Sequence, residues 1–221
     1  MKKRDSNQTR KNILDAAEYE FSEKGIYGTR IDEIAERANI NKRMIYEYFG
    51  NKEELYRTVL FAVYQRLGEQ ELTVLSENVS CVEAIKRIIR FYFEYLEQNP
   101  TYVNLLLWEN LNKGRYIQNH ETSVFRNSTF EALRNIIKKG KEQGVFRESI
   151  DTEQFIVSLL MYTFSHFSNK YTLAKLMNQS EEEAKNKNKT IDTLTQMFIR
   201  YMCTYEAFNE GEKYEDRDSR N

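Results

Sequence analysis

Side chains suited to binding nucleic acid are concentrated in a short stretch of this 221-residue sequence. In chain order they are Asn41, Lys42, Arg43, Met44, Tyr46, Tyr48 and Lys52. Lysine and arginine pair with guanine edges or with phosphates, and asparagine pairs with adenine. Tyrosine hydroxyls, and a lysine at the start of a helix, are placed for phosphate oxygens. The alternatives are a solvated helix end for the cations and packing on the following helix for the tyrosines.

Two short helices and a tight turn are predicted to present these side chains. Apolar residues at helical spacing predict a first helix over 30–38, with Thr29 as its N-cap. Asn39-Ile40-Asn41 forms the turn, because asparagine tolerates the left-handed conformation that such turns use. A second helix, capped by Asn41, is predicted over 42–49. Over about residues 30–49 this is a helix-turn-helix, whose second helix enters the DNA major groove.

The rest of the sequence predicts an all-α fold. With 8 glycines and 1 proline, the chain has too few turn residues for a β-sandwich or β-barrel. Capping residues and apolar periodicity predict further helices at about 8–24, 52–75, 80–98, 100–111, 118–143, 152–170 and 180–208. The charged segment 209–221 is predicted to be a disordered tail.

Composition and motifs exclude several classes of function. The 33 basic and 34 acidic residues nearly cancel, so any contact with DNA must be local. The sequence contains no glycine-rich phosphate loop, no H-E-x-x-H and no G-x-S-x-G, so we expect neither an enzyme nor a bound cofactor. Cys81 and Cys203 fit no metal or redox spacing, and a metal sensor would require them to converge with the histidines.

Two features predict a cytoplasmic protein without a membrane partner. The most apolar stretch, Phe155–Phe164, is much shorter than the roughly 20 residues that a membrane span needs. The basic start of the chain is not followed by an apolar segment, so it is no signal peptide.

A longer pattern runs through the helix-turn-helix region. It reads Thr9-Arg10-x-x-Ile13-Leu14-x-Ala16-Ala17-x-x-x-Phe21-x-x-x-Gly25-x-x-Gly28-Thr29 and continues as Ile31-x-x-Ile34-Ala35-x-x-Ala38-x-Ile40-x-Lys42-x-x-Ile45-Tyr46-x-Tyr48-Phe49-x-x-Lys52-x-x-Leu55. In order and spacing it resembles the opening of the TetR/AcrR family of bacterial transcriptional regulators. The pattern covers the first quarter of the chain, and beyond residue 60 only the helical architecture agrees.

The resemblance implies a DNA-binding head over 1–57 and a helical body over 58–208 that binds an effector and dimerises. It implies that DNA phosphates are contacted by Lys42, Tyr46, Tyr48 and Lys52. Arg43 and Met44 stand where the family usually has glycine and a small hydroxyl residue, and Arg43 is our candidate reader of a base. The expected DNA contacts are completed by Thr29, Arg30 and Asn41.

A small-molecule pocket among the later helices is also implied by the resemblance. Polar residues that interrupt apolar faces are its best markers, because a buried polar group needs a partner. With nearby aromatic residues, the candidates are Tyr95, Asn104, Trp108, Glu109, Asn112, Phe130, Tyr162 and His166. The alternative is an ordinary core role for the aromatic residues and a structural role for His166.

The last predicted helix carries an apolar seam. Its residues alternate at spacings of three and four, as in a helix–helix interface: Ile191, Leu194, Phe198, Tyr201, Tyr205 and Phe208. The preceding long helix, which includes Phe164 and Phe167, is apolar nearly all round and needs cover on more than one side. We therefore expect a homodimer through residues of about 152–208, although the seam could face the core of its own chain.

Together these features predict a homodimeric, ligand-responsive transcriptional regulator, most readily a repressor that a small-molecule effector releases from a palindromic operator. The alternative is a helical interaction protein that keeps this scaffold and acts through a protein partner. The intact set of Lys42, Tyr46 and Lys52 argues against that alternative.

Overall fold

Every regular element in the described part of the chain is an α-helix, which confirms the all-α prediction. The computed structural model describes residues 2–76, 78–118, 122–178 and 187–208, with side chains except those of 2–5, 122–128 and 187. The helices are α1 (Lys2–Gly28), α2 (Ile31–Arg37), α3 (Lys42–Phe49), α4 (Lys52–Leu75), α5 (Cys81–Gln98), α6 (Pro100–Leu111), α7 (Thr122–Glu142), α8 (Thr152–Ser168), α9 (Lys170–Leu176) and α10 (Lys187–Met202).

Contacts divide the chain into two units. The N-terminal unit comprises Met1–Leu67 and Asn99–Phe125, and the C-terminal unit comprises Gly68–Gln98 and Arg126–Asn221. Helix α6 belongs to the N-terminal unit because it packs along α1. The boundary expected near residue 57 remains a prediction. The expected tail at 209–221 and the first residues of the last predicted helix lie outside the described residues.

The N-terminal unit is built around the buried stripe of α1. Ile13, Ala17 and Phe21 are fully buried, as their helical spacing predicts. The Phe21 ring packs edge-on against Tyr56 of α4, with ring centroids 5.0 Å apart. The helical backbone of α1 is interrupted at Gly25, where φ is 65° and ψ is 176°, so the first helix ends at residue 24 as predicted and a short helical segment continues to Gly28. These contacts fix α1, the helix that supports α2 and α3.

The C-terminal unit is centred on α5. Helices α8 and α10 both pack on α5, whose buried face includes Ile85, Ile88 and Phe93. Arg147 closes the end of α10: its Nε donates to the carbonyl of Cys203 at 2.7 Å, and its backbone N–H donates to Met202 at 2.9 Å. A cation at the carbonyl end of a helix is favoured by the helix dipole.

Candidate nucleic-acid interface

The turn between α2 and α3 has the predicted conformation. Asn39 adopts a left-handed φ of 53°. Glycine is not required at this position because asparagine tolerates the left-handed region. The Asn41 side chain accepts a hydrogen bond from the backbone N–H of Arg43 at 2.9 Å, so it caps α3 as predicted. Ile45 and Phe49 are buried. This packing directs the opposite face of α3 to solvent.

Five of the side chains expected to contact DNA are exposed, and three of these lie at the start of α3. The exposed ones are Arg30, Asn41, Lys42, Arg43 and Tyr46, while Met44, Tyr48 and Lys52 are half-buried. The Lys42 ammonium lies 3.0 Å from a carboxylate oxygen of Asp32 on α2. This hydrogen bond and the charge of Asp32 raise the pKa of Lys42, so the lysine is a fixed positive charge at neutral pH.

Glu47 is a member of this surface that the sequence analysis missed. It is the acidic residue of α3, and its Oε1 accepts a hydrogen bond from Nε of Arg43 at 2.9 Å. Both side chains are largely exposed, at 85% for Arg43 and 57% for Glu47. The Arg43–Glu47 pair could have been predicted from the sequence, because residues four apart on a helix are neighbours on its surface.

Two expected phosphate ligands have partners within the chain. The Tyr48 hydroxyl donates to Oγ of Ser6 at 3.1 Å, which joins the end of α3 to the start of α1. The Lys52 ammonium donates to the carbonyl of Thr29 at 2.8 Å, which ties the start of α4 to the turn before α2. Both residues hold elements of the head together, and their contacts with phosphate remain predictions.

The structure corrects the expectation for Thr29. Its side chain is 1% exposed, and its hydroxyl shares a proton between the carbonyls of Gly25 and Glu20, at 2.8 and 3.0 Å. The N-cap of α2 is Arg30, whose backbone N–H donates to Glu33 Oε2 at 3.1 Å. The predicted cap is therefore wrong, because the hydroxyl closes the kink at the end of α1, and a contact of Thr29 with DNA remains a prediction.

A buried carboxylate anchors α2 to α1. Glu20 is 4% exposed and is paired with Lys24 at 2.8 Å and with Arg37 of α2 at 2.7 Å. The Arg37 guanidinium also stacks on the Tyr19 ring, 3.7 Å from its centroid. Burial works against ionisation of Glu20, but the hydrogen bonds and charges of Lys24 and Arg37 outweigh it and lower its pKa. The orientation of the helix-turn-helix therefore depends on an ionised Glu20.

Glu20→Gln is expected to lower the free energy of unfolding by about 1–2 kcal/mol at pH 7. A lowered pKa in the folded state means that this stabilisation is complete above the ordinary value of 4.5 and is lost as the pH falls through the folded-state pKa. Urea unfolding at pH 7 and pH 3 is the measurement. Glutamine mimics the protonated acid, so the difference between the two proteins should narrow from pH 7 to pH 3, and a constant difference would contradict the pairing.

Of the expected ligand residues, Asn104, Trp108, Glu109 and Asn112 lie in the N-terminal unit. The Trp108 indole N–H donates to the carbonyl of Ser22 at 3.1 Å, and its ring packs on Gly25. Glu109 is 2% exposed, and its Oε1 accepts the backbone N–H of Tyr116 at 2.7 Å. Asn112 is the C-cap of α6, and Asn104 is half-buried. Trp108 and Glu109 thus have structural roles, and ligand contacts remain predictions.

Two buried tyrosines, Tyr56 and Tyr116, lie next to Glu109. The rings of Tyr56 and Tyr116 pack edge-on with centroids 5.1 Å apart. Burial and the neighbouring Glu109 charge raise the pKa of Tyr56. Burial and the hydroxyl of Tyr27, 3.3 Å away, raise the pKa of Tyr116 to about 12. Both phenols are neutral at physiological pH, so this cluster joins α4 to the segment that follows α6 without adding charge beyond Glu109.

The other expected ligand residues, Tyr95, Phe130, Tyr162 and His166, lie in the C-terminal unit. Tyr95 is buried and its ring lies 5.7 Å from that of Phe91. His166 contacts the Phe93 ring at 5.3 Å, and burial followed by the charge of Lys170 lowers its pKa. Tyr162 is 50% exposed, and Phe130 is half-buried. Contacts of these residues with a ligand stay a prediction.

A groove of about 720 Å³ lies between α5 and α10. Its wall carries the basic side chains of Lys86, Arg87, Arg90 and Arg200, together with Glu83 and Asp192. None of the eight residues expected to bind ligand lines it.

The structure corrects part of the expected dimer seam. Ile191, Leu194 and Phe198 are at most 8% exposed, and Phe198 packs edge-on against Phe155 with ring centroids 5.3 Å apart. Their periodicity marks the face of α10 that covers the core of its own chain. Phe164 and Phe167 are half-buried, while Tyr201 and Tyr205 are exposed at 52% and 76%.

An apolar patch of α8 and α10 remains open to solvent in the single chain. It consists of Val157, Met161, Tyr162, Met197 and Tyr201, together with Tyr205 just after α10, each at least 45% exposed. Exposed apolar patches of this kind mark interaction surfaces. On α10, the surface expected to meet a partner is therefore this exposed patch and not the buried seam.

The described ranges of the chain hold no group of three or more histidine, cysteine, aspartate or glutamate side chains able to bind a metal ion. None of their helices is long and apolar enough to cross a membrane. Cys81 and Cys203 are buried free thiols.

Two family models match this sequence. Residues 13–59 match the model described as "Bacterial regulatory proteins, tetR family", and residues 82–198 match "Tetracyclin repressor-like, C-terminal domain". The chain is 31% identical to the HTH-type transcriptional repressor NicS of Pseudomonas putida over 78% of this chain and 82% of that protein. It is 32% identical to the HTH-type transcriptional repressor SCO4008 of Streptomyces coelicolor, over 72% and 79% of the two chains.

Solved structures share the same fold. A TetR family transcription regulator from Marinobacter aquaeolei aligns with a TM-score of 0.69 at 18% identity, covering 92% of this chain and 99% of that one. The ketosteroid transcriptional regulator KstR2 of Mycobacterium tuberculosis aligns with a TM-score of 0.67 at 16% identity, covering 88% and 95%.

Proposed function

The chain belongs to the tetR family of bacterial regulatory proteins and is a ligand-responsive, DNA-binding transcriptional regulator, and we propose that it represses transcription from a palindromic operator as a homodimer. The observation that carries this proposal is the exposed first turn of α3, where Asn41, Lys42 and Arg43 project from a helix whose other face is buried. A small-molecule effector would release the operator. Repression is supported by NicS and SCO4008, which are both named as transcriptional repressors.

The exposed face of α3 has the chemistry for a major groove. Its leading residues supply an amide, an ammonium and a guanidinium group, which together can contact bases and phosphates. The turn before α3 is fixed by Asn39 and by the Asn41 cap. A rigid support limits the entropy that is lost when these side chains bind DNA.

Arg43→Ala is expected to cost about 1–3 kcal/mol in operator binding and to relax the preference at one base pair in each half-site. The guanidinium can form two hydrogen bonds with guanine, which alanine cannot replace. Titration of an operator selected from genomic fragments, against a scrambled duplex at two salt concentrations, measures both effects. Arg90→Ala, which removes an exposed arginine of the C-terminal unit, is the matched control.

Equal affinity of the unaltered protein for operator and scrambled duplexes would contradict the proposed function. An Arg43→Ala protein that loses affinity equally for every duplex would instead assign this side chain to a phosphate contact. Lys42→Ala provides that reference, because loss of a phosphate contact weakens all sequences alike and lowers the salt dependence.

An effector that releases the operator is expected to raise the melting temperature of the protein, because a ligand that binds the folded state stabilises it by mass action. At a concentration of one hundred times Kd the gain is about 2.7 kcal/mol. Screening small molecules by thermal shift and by operator release is the measurement. Tyr162→Ala tests the expected pocket, and Tyr171→Ala, which removes another exposed tyrosine of the C-terminal unit, is its control. Unchanged ligand binding in Tyr162→Ala would place the pocket elsewhere.

The relatives give no support to a helical interaction protein that acts through a protein partner, because they are named as transcriptional repressors.

A further inference from the structure

We propose that Glu47 positions Arg43 for guanine and thereby sets the base preference of α3, an inference that rests on the proposed function of the head. Glu47 places a negative charge on the helix face that presents Lys42 and Arg43. A carboxylate there opposes the attraction of DNA phosphates. An exposed ion pair also contributes little to stability. A role in recognition of DNA therefore explains the Arg43–Glu47 pair better than a role in stability does.

The geometry of the pair leaves the reading end of Arg43 open. Glu47 Oε1 accepts from Nε of Arg43 at 2.9 Å. Among the described residues, neither terminal nitrogen of this guanidinium has a hydrogen-bond partner. These two nitrogens form the fork that matches O6 and N7 of guanine. Contact through Nε thus fixes the direction of the side chain without consuming the donors that would read the base.

The charge of Glu47 adds a second constraint on Arg43. An unrestrained arginine can turn to the phosphates on either side of a major groove as readily as to a base. A carboxylate is repelled by both rows of phosphates. The Arg43–Glu47 pair is therefore most favourable over the middle of the groove, where the base edges lie.

Guanine is the base that this arrangement selects. In the major groove guanine offers two acceptors on one edge, whereas adenine offers one acceptor beside an amino donor. A guanidinium held by Glu47 meets both guanine acceptors but would face the amino group of adenine. We therefore expect each half-site to contain a guanine that depends on both residues.

The test measures base preference within each variant. Half-site libraries are selected with the unaltered full-length protein, and affinities are then measured for duplexes that carry each of the four bases at the Arg43-dependent position. The variants are Glu47→Ala, Arg43→Ala and the double variant. Glu23→Ala removes an exposed acid of α1 and is the charge-matched control.

The unaltered protein and Glu23→Ala should prefer guanine by at least about fivefold. Glu47→Ala should lose most of this preference, and the double variant should behave like Arg43→Ala alone. Glu47→Ala should gain more affinity for scrambled DNA than Glu23→Ala, since Glu47 lies beside the cations of α3 and the effect of an exposed charge is screened with distance.

Three results would overturn the inference. A guanine preference that is unchanged in Glu47→Ala would overturn it while leaving the proposed function intact. A preference lost at a position that Arg43→Ala does not affect would mean that Glu47 contacts a base itself. Failure of the unaltered protein to select any half-site would overturn the proposed function, and this inference with it.

Discussion

Replacing Gly25 with alanine is expected to lower the free energy of unfolding by about 2–5 kcal/mol. Two costs combine at this position. The backbone has a φ of 65° and a ψ of 176°, a region almost confined to glycine, which costs an L-residue at least about 1 kcal/mol. A Cβ atom would also lie 2.7 Å from Cδ2 and 2.8 Å from Cε3 of Trp108. Because these atoms belong to a rigid ring held by its hydrogen bond to Ser22, either α6 or α1 must shift.

Urea unfolding of Gly25→Ala and of a matched glycine variant separates the two costs. Gly144 also has a positive φ, of 70°, but a Cβ there would meet nothing within 4 Å. Gly144→Ala therefore reports the cost of a positive φ without a steric clash, and Gly25→Ala should exceed it by about 1–3 kcal/mol. Equal losses for the two variants would show that Trp108 does not pack on Gly25. If the clash is with Trp108, Trp108→Ala should cost less stability in the Gly25→Ala background than in the unaltered protein.

The structure of the α2–α3 region was predictable because its determinants are local. Three signals lie within one short stretch: Asn39, which tolerates the left-handed conformation of the turn, the Asn41 cap, and apolar residues at helical spacing. Each signal agrees with the others, and such agreement makes a sequence specify one structure.

Roles that depend on distant partners could not be predicted from the same stretch. The contact between Lys52 and the Thr29 carbonyl joins residues 23 apart, and Trp108 reaches Ser22 across 86 positions. The sequence pattern identified Lys52 and Trp108 as candidate functional residues, but it did not indicate which groups they contact. The Arg43–Glu47 pair is the opposite case, since its two residues are four apart and periodicity alone could have indicated it.

The seam of α10 shows a different limit. Spacings of three and four identify an apolar face but not whether a second copy or the same chain covers it. In the structure Ile191, Leu194 and Phe198 cover the core of their own chain. The face expected to meet a partner lies further around the helix, where Met197 and Tyr201 are 50% and 52% exposed.

Replacing Met161 and Tyr201 together with glutamate is expected to convert a homodimer into monomers and to weaken operator binding at least about a hundredfold. Both side chains belong to the apolar patch of α8 and α10, at 65% and 52% exposure. A palindromic operator has two-fold symmetry, and a dimer with the same symmetry binds both half-sites at once. Without the dimer each head binds alone, so the gain from linking two sites is lost.

Sedimentation at micromolar concentration measures the assembly, and operator titration measures its consequence. The unaltered protein should sediment at twice the 26.5 kDa of one chain, and the double variant at the mass of one chain. Leu111→Glu is the matched control, because it places the same charge on an apolar side chain of the N-terminal unit that is 73% exposed. Phe198→Glu should instead unfold the chain, since its ring is buried against Phe155. If the double variant still sediments as a dimer, the patch is not the interface.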